Sequence, residues 1–273
     1  MPNYEMPIIV TAFFLYFFAA VFYIGYIVLL RPWLARLGRW TAIAGLTANF
    51  AAAGLRTFHA SHAPFANMYE FGIVLVAVIV CGYLWIDLRY GHHSLGAFIM
   101  PVAFLFLGVF ILFYQDAKPL MPALKSNWLL AHVMTAVIAY GALAFSFAAA
   151  LMYRWRRYLD TGANPALLAL IPAPHVLEYL INRSIILAMP FLTLLIITGA
   201  VWAEYAWGSY WRWDPKETWS LVTWLVYAAY LHGRAVYAWH GQTAINWALS
   251  GFLIVLFTFI GVNVLLPGLH SYQ

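Results

Sequence analysis

Apolar runs dominate this chain. Stretches at about 6–30, 41–58, 68–86, 95–114, 128–152, 184–204, 218–236 and 245–267 each approach the roughly 20 residues that a membrane-spanning helix needs. Together they take up most of the 273 residues. Only 8% of the residues are charged, against about a quarter in a soluble domain. The expected fold class is therefore an all-α polytopic membrane protein, a bundle of about eight transmembrane helices. It forms a single domain over residues 1–273, with no sizeable soluble domain beside it.

The basic residues set the orientation. One set of connectors carries Arg31, Arg36, Arg39, Arg89, Arg154, Arg156, Arg157, Arg183 and Arg234, and the opposite set carries Arg56, Lys118, Lys125, Arg212 and Lys216. The positive-inside rule puts the richer set in the cytoplasm and both termini on the outer side. The net charge of +5 is explained by this topology, so nucleic acid is not an expected partner. No cationic stretch precedes the first apolar run and no A-x-A-like site follows it, so it reads as a retained span. The single cysteine, Cys81, excludes dithiol redox chemistry and a C-x-x-C-H attachment site in this chain. It is expected to be a small apolar packing residue.

The middle thirds of the spans hold almost no Asp, Glu, Lys or Arg; Glu70, Asp87 and Glu204 sit near span ends. Ion-coupled transport usually needs intramembrane carboxylates or broken helices at the midplane. No phosphate-cradling G-x-x-x-x-G-K-[ST] loop is present either. These absences disfavour a secondary transporter and an ATP-driven pump. The longest cytoplasmic connector, about 154–183, contains an apolar-periodic piece, 175–182, that is expected to lie as a short interfacial helix.

One outer connector, about 205–219, is unlike the rest: Trp207-Gly-Ser-Tyr-Trp211-Arg212-Trp213-Asp214-Pro215-Lys216-Glu217-Thr-Trp219. A single interfacial Trp is ordinary. Four in thirteen residues, followed by Trp224 and Trp239, read as a platform for something flat. Asp214, Pro215 and Glu217 have the spacing of a capping box that opens the next helix, which would hold the aromatic loop rigidly. Asn67 and Glu70 show the same cap spacing on another outer connector, beside His59 and His62.

With carboxylates scarce, the nine histidines are the groups to weigh. His92, His93, His175 and His240 fall in cytoplasmic connectors, where a solvated role is favoured. His132, at the start of the fifth span, and His270, after the eighth, lie at the membrane level of the tryptophan loop. Two neutral imidazoles across an aromatic platform are what a bis-His haem needs; two interfacial histidines bonded to neighbours are the alternative. His232 lies eighteen residues after Asp214, so roughly 27 Å further along its helix. It is a candidate ligand for a second metal or haem if another group supplies the opposite axial position, and otherwise a helix-end histidine. Arg212 and Lys216 are placed either to pair with propionates or to meet water and lipid.

Trp207-Gly-x-x-Trp211-x-Trp213-Asp214-Pro215-Lys216-Glu217-Thr-Trp219-Ser220 resembles the "WWD" signature of the haem-handling superfamily. The likeness to its CcsA (ResC) branch, from system II cytochrome c maturation, extends to Asn67-Met-Tyr69-Glu70, Ser126-x-Trp128-x-x-x-His132 and Thr198-Gly-Ala-Val-Trp202-Ala. It also includes Tyr230-Leu-His232 and the stretch from Gly261-Val-Asn263 to Gly268-Leu-His270. The resemblance implies non-covalent haem b with His132 and His270 as outer-face ligands. It places Trp207, Trp211, Trp213 and Asp214 in the haem-holding loop, with Trp219 and Arg212 beside them. It implies that His232 pairs with a histidine of a CcsB/ResB-type membrane partner, which must be a separate chain.

The activity so implied is that of a holocytochrome c synthase in the bacterial cytoplasmic membrane, which joins haem to the C-x-x-C-H thiols of apocytochrome c. Three rivals remain: a haem exporter or chaperone without ligase chemistry, a cytochrome b-type electron carrier, and a purely structural assembly subunit. The second would leave the tryptophan loop unused.

Overall fold

The computed structural model describes residues 4–162 and 164–266. These form α1 (Glu5–Leu29), α2 (Pro32–Ala60), α3 (Met68–Tyr90), α4 (Gly96–Ile111) and α5 (Asn127–Leu159). They continue with α6 (Pro165–Leu170), α7 (Pro174–Trp207), α8 (Pro215–Val236), α9 (Gln242–Leu256) and α10 (Val262–Leu265). A π turn, Phe257–Gly261, joins the last two. No strand occurs among the described residues. Among the described residues, six helical stretches are long and apolar enough to cross a membrane: α1, α3, α4 with its preceding turn, α5, α6 with α7, and α9 through α10. α2 and α8, of 29 and 22 residues, are as long as spans but carry more polar side chains. The chain is thus an all-helical, multi-pass membrane protein.

The chain divides into two compact units: Met1–Pro119 with Leu151–Leu177, and Leu120–Ala150 with Glu178–Gln273. In the first unit, α1 and α2 form an antiparallel hairpin in which rings lie on glycines. A Cβ on Gly45 would come within 2.7 Å of the Tyr16 ring, and one on Gly38 within 3.0 Å of Tyr23. The seven-residue spacing on both helices keeps these pairs on one seam, with Ala12, Ala19, Ala42 and Ala52 buried along it. Small residues at a helix interface allow this close approach, which compensates for the weak hydrophobic drive between helices in lipid.

Each end of this first unit is closed by charge. The fully buried Arg56 of α2 bonds Glu70 of α3 at 2.8 Å and lies 3.7 Å from Glu5 of α1. It also donates to the carbonyl of Gln115. Glu70 acts at the start of α3 as well, where Asn67 accepts its N–H and its own carboxylate accepts from Ala66, in line with the expected cap. At the opposite end of α3, the buried Asp87 accepts from Arg39 at 2.7 Å and from the His93 ring.

The second unit joins the first part of α5 to most of α7 and to α8, α9 and α10. Phe147 stacks on Phe252 at 4.7 Å, and Tyr140 meets Phe259 edge-on. The hydroxyls of Thr223 and Thr258 pair at 3.0 Å between α8 and the π turn. Both hydroxyls also reach the carbonyl of Trp219.

Three expectations are corrected. Residues 175–182 are not a separate interfacial helix. Pro174 stands at the head of α7, where its missing N–H costs nothing, and the helix runs unbroken to Trp207; α6 is the short element instead. Cys81 is exposed on α3 and is not packed inside the fold. His93 and His240 are not merely solvated. His93 bonds the buried Asp87, and His240 bonds Glu178, which also pairs with Arg234.

Candidate functional site

α7 ends at Trp207, where Gly208, at φ +71°, turns the chain and its N–H donates to the Glu204 carbonyl. α8 begins at Pro215. The aromatic connector is therefore a seven-residue loop, 208–214, with Trp207 closing the helix before it and Trp219 on the helix after it. The expected capping box is present. Asp214 accepts from the N–H of Lys216 at 3.0 Å, and the Glu217 carboxylate returns to the N–H of Asp214 at 3.2 Å. One oxygen of Glu217 also accepts from the N–H of Arg212 at 2.9 Å. A single carboxylate thus pins two backbone donors of the loop, and Asp214 is buried beneath them.

The clamp holds an unusual conformation. Trp213 has φ +58°, a left-handed backbone that bulky residues rarely adopt, and its side chain is 68% exposed. Trp211 meets Trp213 edge-on with centroids 5.6 Å apart. Arg212 folds back to donate to the carbonyl of Trp207, so its guanidinium braces the loop. Trp219 packs edge-on against Phe257 of the π turn at 4.5 Å. Lys216 donates to Asn263 of α10 at 3.2 Å, which ties the loop's exit to the last helix.

His132 lies on α5, and its ring is held by α7. Nδ1 is 2.9 Å from the Leu195 carbonyl. A carbonyl only accepts, so Nδ1 carries a proton, and in the neutral ring the lone pair is then on Nε2. The imidazole stacks on Trp202 with planes 19° apart and centroids 6.3 Å apart. Trp202 is buried and meets Trp207 edge-on at 4.9 Å. A continuous series of rings therefore runs from His132 through Trp202 to Trp207, the first residue of the tryptophan-rich stretch.

Of the expected site residues, the structure gathers His132, Trp207, Trp211, Arg212, Trp213, Asp214 and Trp219 in the second unit. His270 lies outside the described residues. His232 is exposed near the far end of α8, edge-on to Tyr237 at 5.7 Å, and takes no part in the loop. In the first unit, His59 is exposed at the end of α2, and His62 bonds the carbonyls of Ala63 and Lys118. Sequence reasoning assigned no role to Leu195, Gly199 or Trp202. Their contacts with His132 join residues more than sixty positions apart; the only local signal is the small, β-branched and aromatic spacing of Thr198-Gly199-x-x-Trp202.

A profile of the cytochrome C assembly protein family matches residues 65–270. The cytochrome c biogenesis protein CcsA of Trieres chinensis is 36% identical over 272 residues, which cover 88% of this chain and 87% of that protein. CcsA of Guillardia theta is 36% identical over 239 residues, with coverage of 80% and 79%. CcsA of Gloeobacter violaceus is 32% identical over 295 residues, with coverage of 88% and 87%. Among solved structures, the cytochrome c haem lyase CcmF superposes with a TM-score of 0.70 at 18% identity, a likeness of fold. That match covers 93% of this chain and 46% of that chain, so this protein spans about half of CcmF's length.

Proposed function

We propose, for a chain that belongs to the cytochrome c assembly protein family and is of the CcsA type, that it is the haem-handling subunit of a system II cytochrome c synthase. In this reading haem is held non-covalently at the outer membrane face and delivered to the C-x-x-C-H thiols of apocytochrome c. The observation that carries the proposal is the His132 imidazole. Its Nδ1–H is committed to the Leu195 carbonyl, which in the neutral ring leaves the lone pair on Nε2, and its ring heads the aromatic series that leads to the tryptophan loop.

The side chains fit such a substrate. A neutral imidazole is an axial ligand for haem iron, and a backbone carbonyl on its other nitrogen is the usual way a ligating histidine is oriented. Exposed indoles at Trp213, with Trp211 beside it, offer flat apolar surface. His270 is proposed as the second outer ligand. Haem supplies the iron that takes the imidazoles and the vinyl groups that take the thiols. Each addition places a cysteine sulfur on one vinyl carbon and the thiol proton on the other, with no oxidant or reductant consumed.

The protein's contribution is positional. His132 and His270 fix the iron, the loop indoles fix the ring plane, and the substrate's own histidine replaces one ligand as its thiols arrive. Holding two reactants in this geometry removes much of the entropic barrier. No side chain of the loop is assigned as a general acid or base. His232, exposed on α8, is proposed to share a second haem with a histidine of a separate CcsB/ResB-type partner. The loop then faces the extracytoplasmic side of a bacterial cytoplasmic membrane.

The test is expression of this chain with such a partner and a C-x-x-C-H reporter, in cells lacking their own maturation system. Covalent haem in the reporter, seen by in-gel peroxidase activity after denaturation, is the expected result. Haem outside the cytoplasm with no thioether formed would replace the proposal with an exporter.

A further inference from the structure

We propose that Gly199 is a positioning residue for His132, and that α7 supplies the cradle that fixes the direction of the ligating nitrogen; this rests on the reading of His132 as a haem ligand. The cradle has three parts, all on successive turns of α7. The Leu195 carbonyl accepts the hydrogen bond from Nδ1–H at 2.9 Å. The Trp202 ring lies nearly parallel to the imidazole. Between them, Gly199 leaves the space in which the ring sits: a Cβ there would be 2.7 Å from Nδ1 and 2.8 Å from Cε1 of His132.

Contacts of this kind settle near 3.5–4.0 Å, so a single methyl at position 199 would push the imidazole back by about 1 Å. Thr198 adjoins the same carbonyl. Its hydroxyl bonds Leu194 at 2.6 Å and approaches Leu195 at 3.4 Å, which holds the acceptor end of the cradle in place. A displaced ring loses the Leu195 carbonyl, which holds the proton on Nδ1, and it loses the stack on Trp202. Nε2 would then differ in both direction and protonation. A misplacement of about 1 Å at a reacting group is able to cost roughly a hundredfold.

The experiment compares wild type, Gly199→Ala, His132→Gly and the double variant, each purified with the partner. Haem content and absorption spectrum are read with and without added imidazole. The expected result is at least a tenfold loss of haem in Gly199→Ala, restored by imidazole as in His132→Gly. The double variant should be no worse than His132→Gly alone, because the atoms that the added methyl would crowd, at 2.7 and 2.8 Å, both belong to the missing ring. Wild-type haem content and spectrum in Gly199→Ala would overturn the proposal, as would additive losses in the double variant.

If Gly199→Ala folds poorly, recovery of yield on adding His132→Gly supports the clash, and no recovery refutes it. A haem-free readout separates the inference from the ligand reading. In ¹⁵N-histidine spectra, the His132 signal, assigned by its loss in His132→Gly, should report an Nδ1–H ring in wild type and a mixed tautomer in Gly199→Ala. An unchanged tautomer overturns the cradle. A changed tautomer with haem binding indifferent to His132 upholds the cradle and sinks the ligand reading.

Discussion

Replacing Glu217 with alanine should loosen the tryptophan loop while leaving every tryptophan in place. One carboxylate oxygen accepts from the backbone of Arg212 at 2.9 Å and of Asp214 at 3.2 Å. Charge-assisted bonds of this kind contribute about 1.5–3 kcal/mol each. Because the two share one oxygen at a partly exposed site, a combined loss of about 2–3 kcal/mol is a reasonable scale. The loop has little reserve against that loss, since the left-handed backbone of Trp213 itself costs on the order of 1–3 kcal/mol. A change of 2–3 kcal/mol corresponds to roughly 30- to 150-fold in an equilibrium constant.

Apparent affinity falls with the fraction of loop in the competent conformation, so the haem Kd of Glu217→Ala should rise at least tenfold. Glu217→Gln keeps an acceptor without the charge and should fall between the two. The assay is haem titration of the detergent-solubilised protein, followed by absorbance, with hydrogen exchange read over residues 208–214. Wild-type Kd together with wild-type exchange in Glu217→Ala would refute the claim that the capping carboxylate builds the platform.

Other consequences are equally direct. Arg56→Leu leaves Glu5 and Glu70 buried without their guanidinium, and loss of one partner of a buried pair costs about 3–5 kcal/mol. A marked fall in Tm with little purified protein is expected, and an unchanged Tm would contradict the structural role of this cluster. Asp87→Asn weakens the link of α3 to Arg39 and His93 and should lower Tm without changing haem affinity at the loop. His232→Gly should reduce haem only when the partner is present; an equal loss in this chain alone would remove the partner from the account.

The long helices and the loop's entry and exit were legible in the sequence because their determinants are local. Apolar length marks the helices, and Asp214, Pro215 and Glu217 declare the start of α8 within four residues. Contacts across the fold were not legible. His132 meets Leu195 sixty-three positions away, and the spacing of Thr198, Gly199 and Trp202, the one local signal, does not say which residue they meet. Cys81 shows a related limit: in an apolar helix, composition does not distinguish an inward face from one that meets lipid, and Cys81 faces out. His93 and His240 read as solvated because their buried or half-buried partners, Asp87 and Glu178, are not apparent from the residues beside them. The left-handed Trp213 carried no signal, since glycine or asparagine is the usual marker of such a backbone.

The most direct test of the account is the absorption spectrum of the purified protein with its partner, for wild type, His132→Gly and His270→Gly. Ligation by these residues predicts that each variant loses haem or shifts its spectrum and that added imidazole restores it. An unchanged haem signal in both variants, or a wild-type protein that never binds haem, would contradict it.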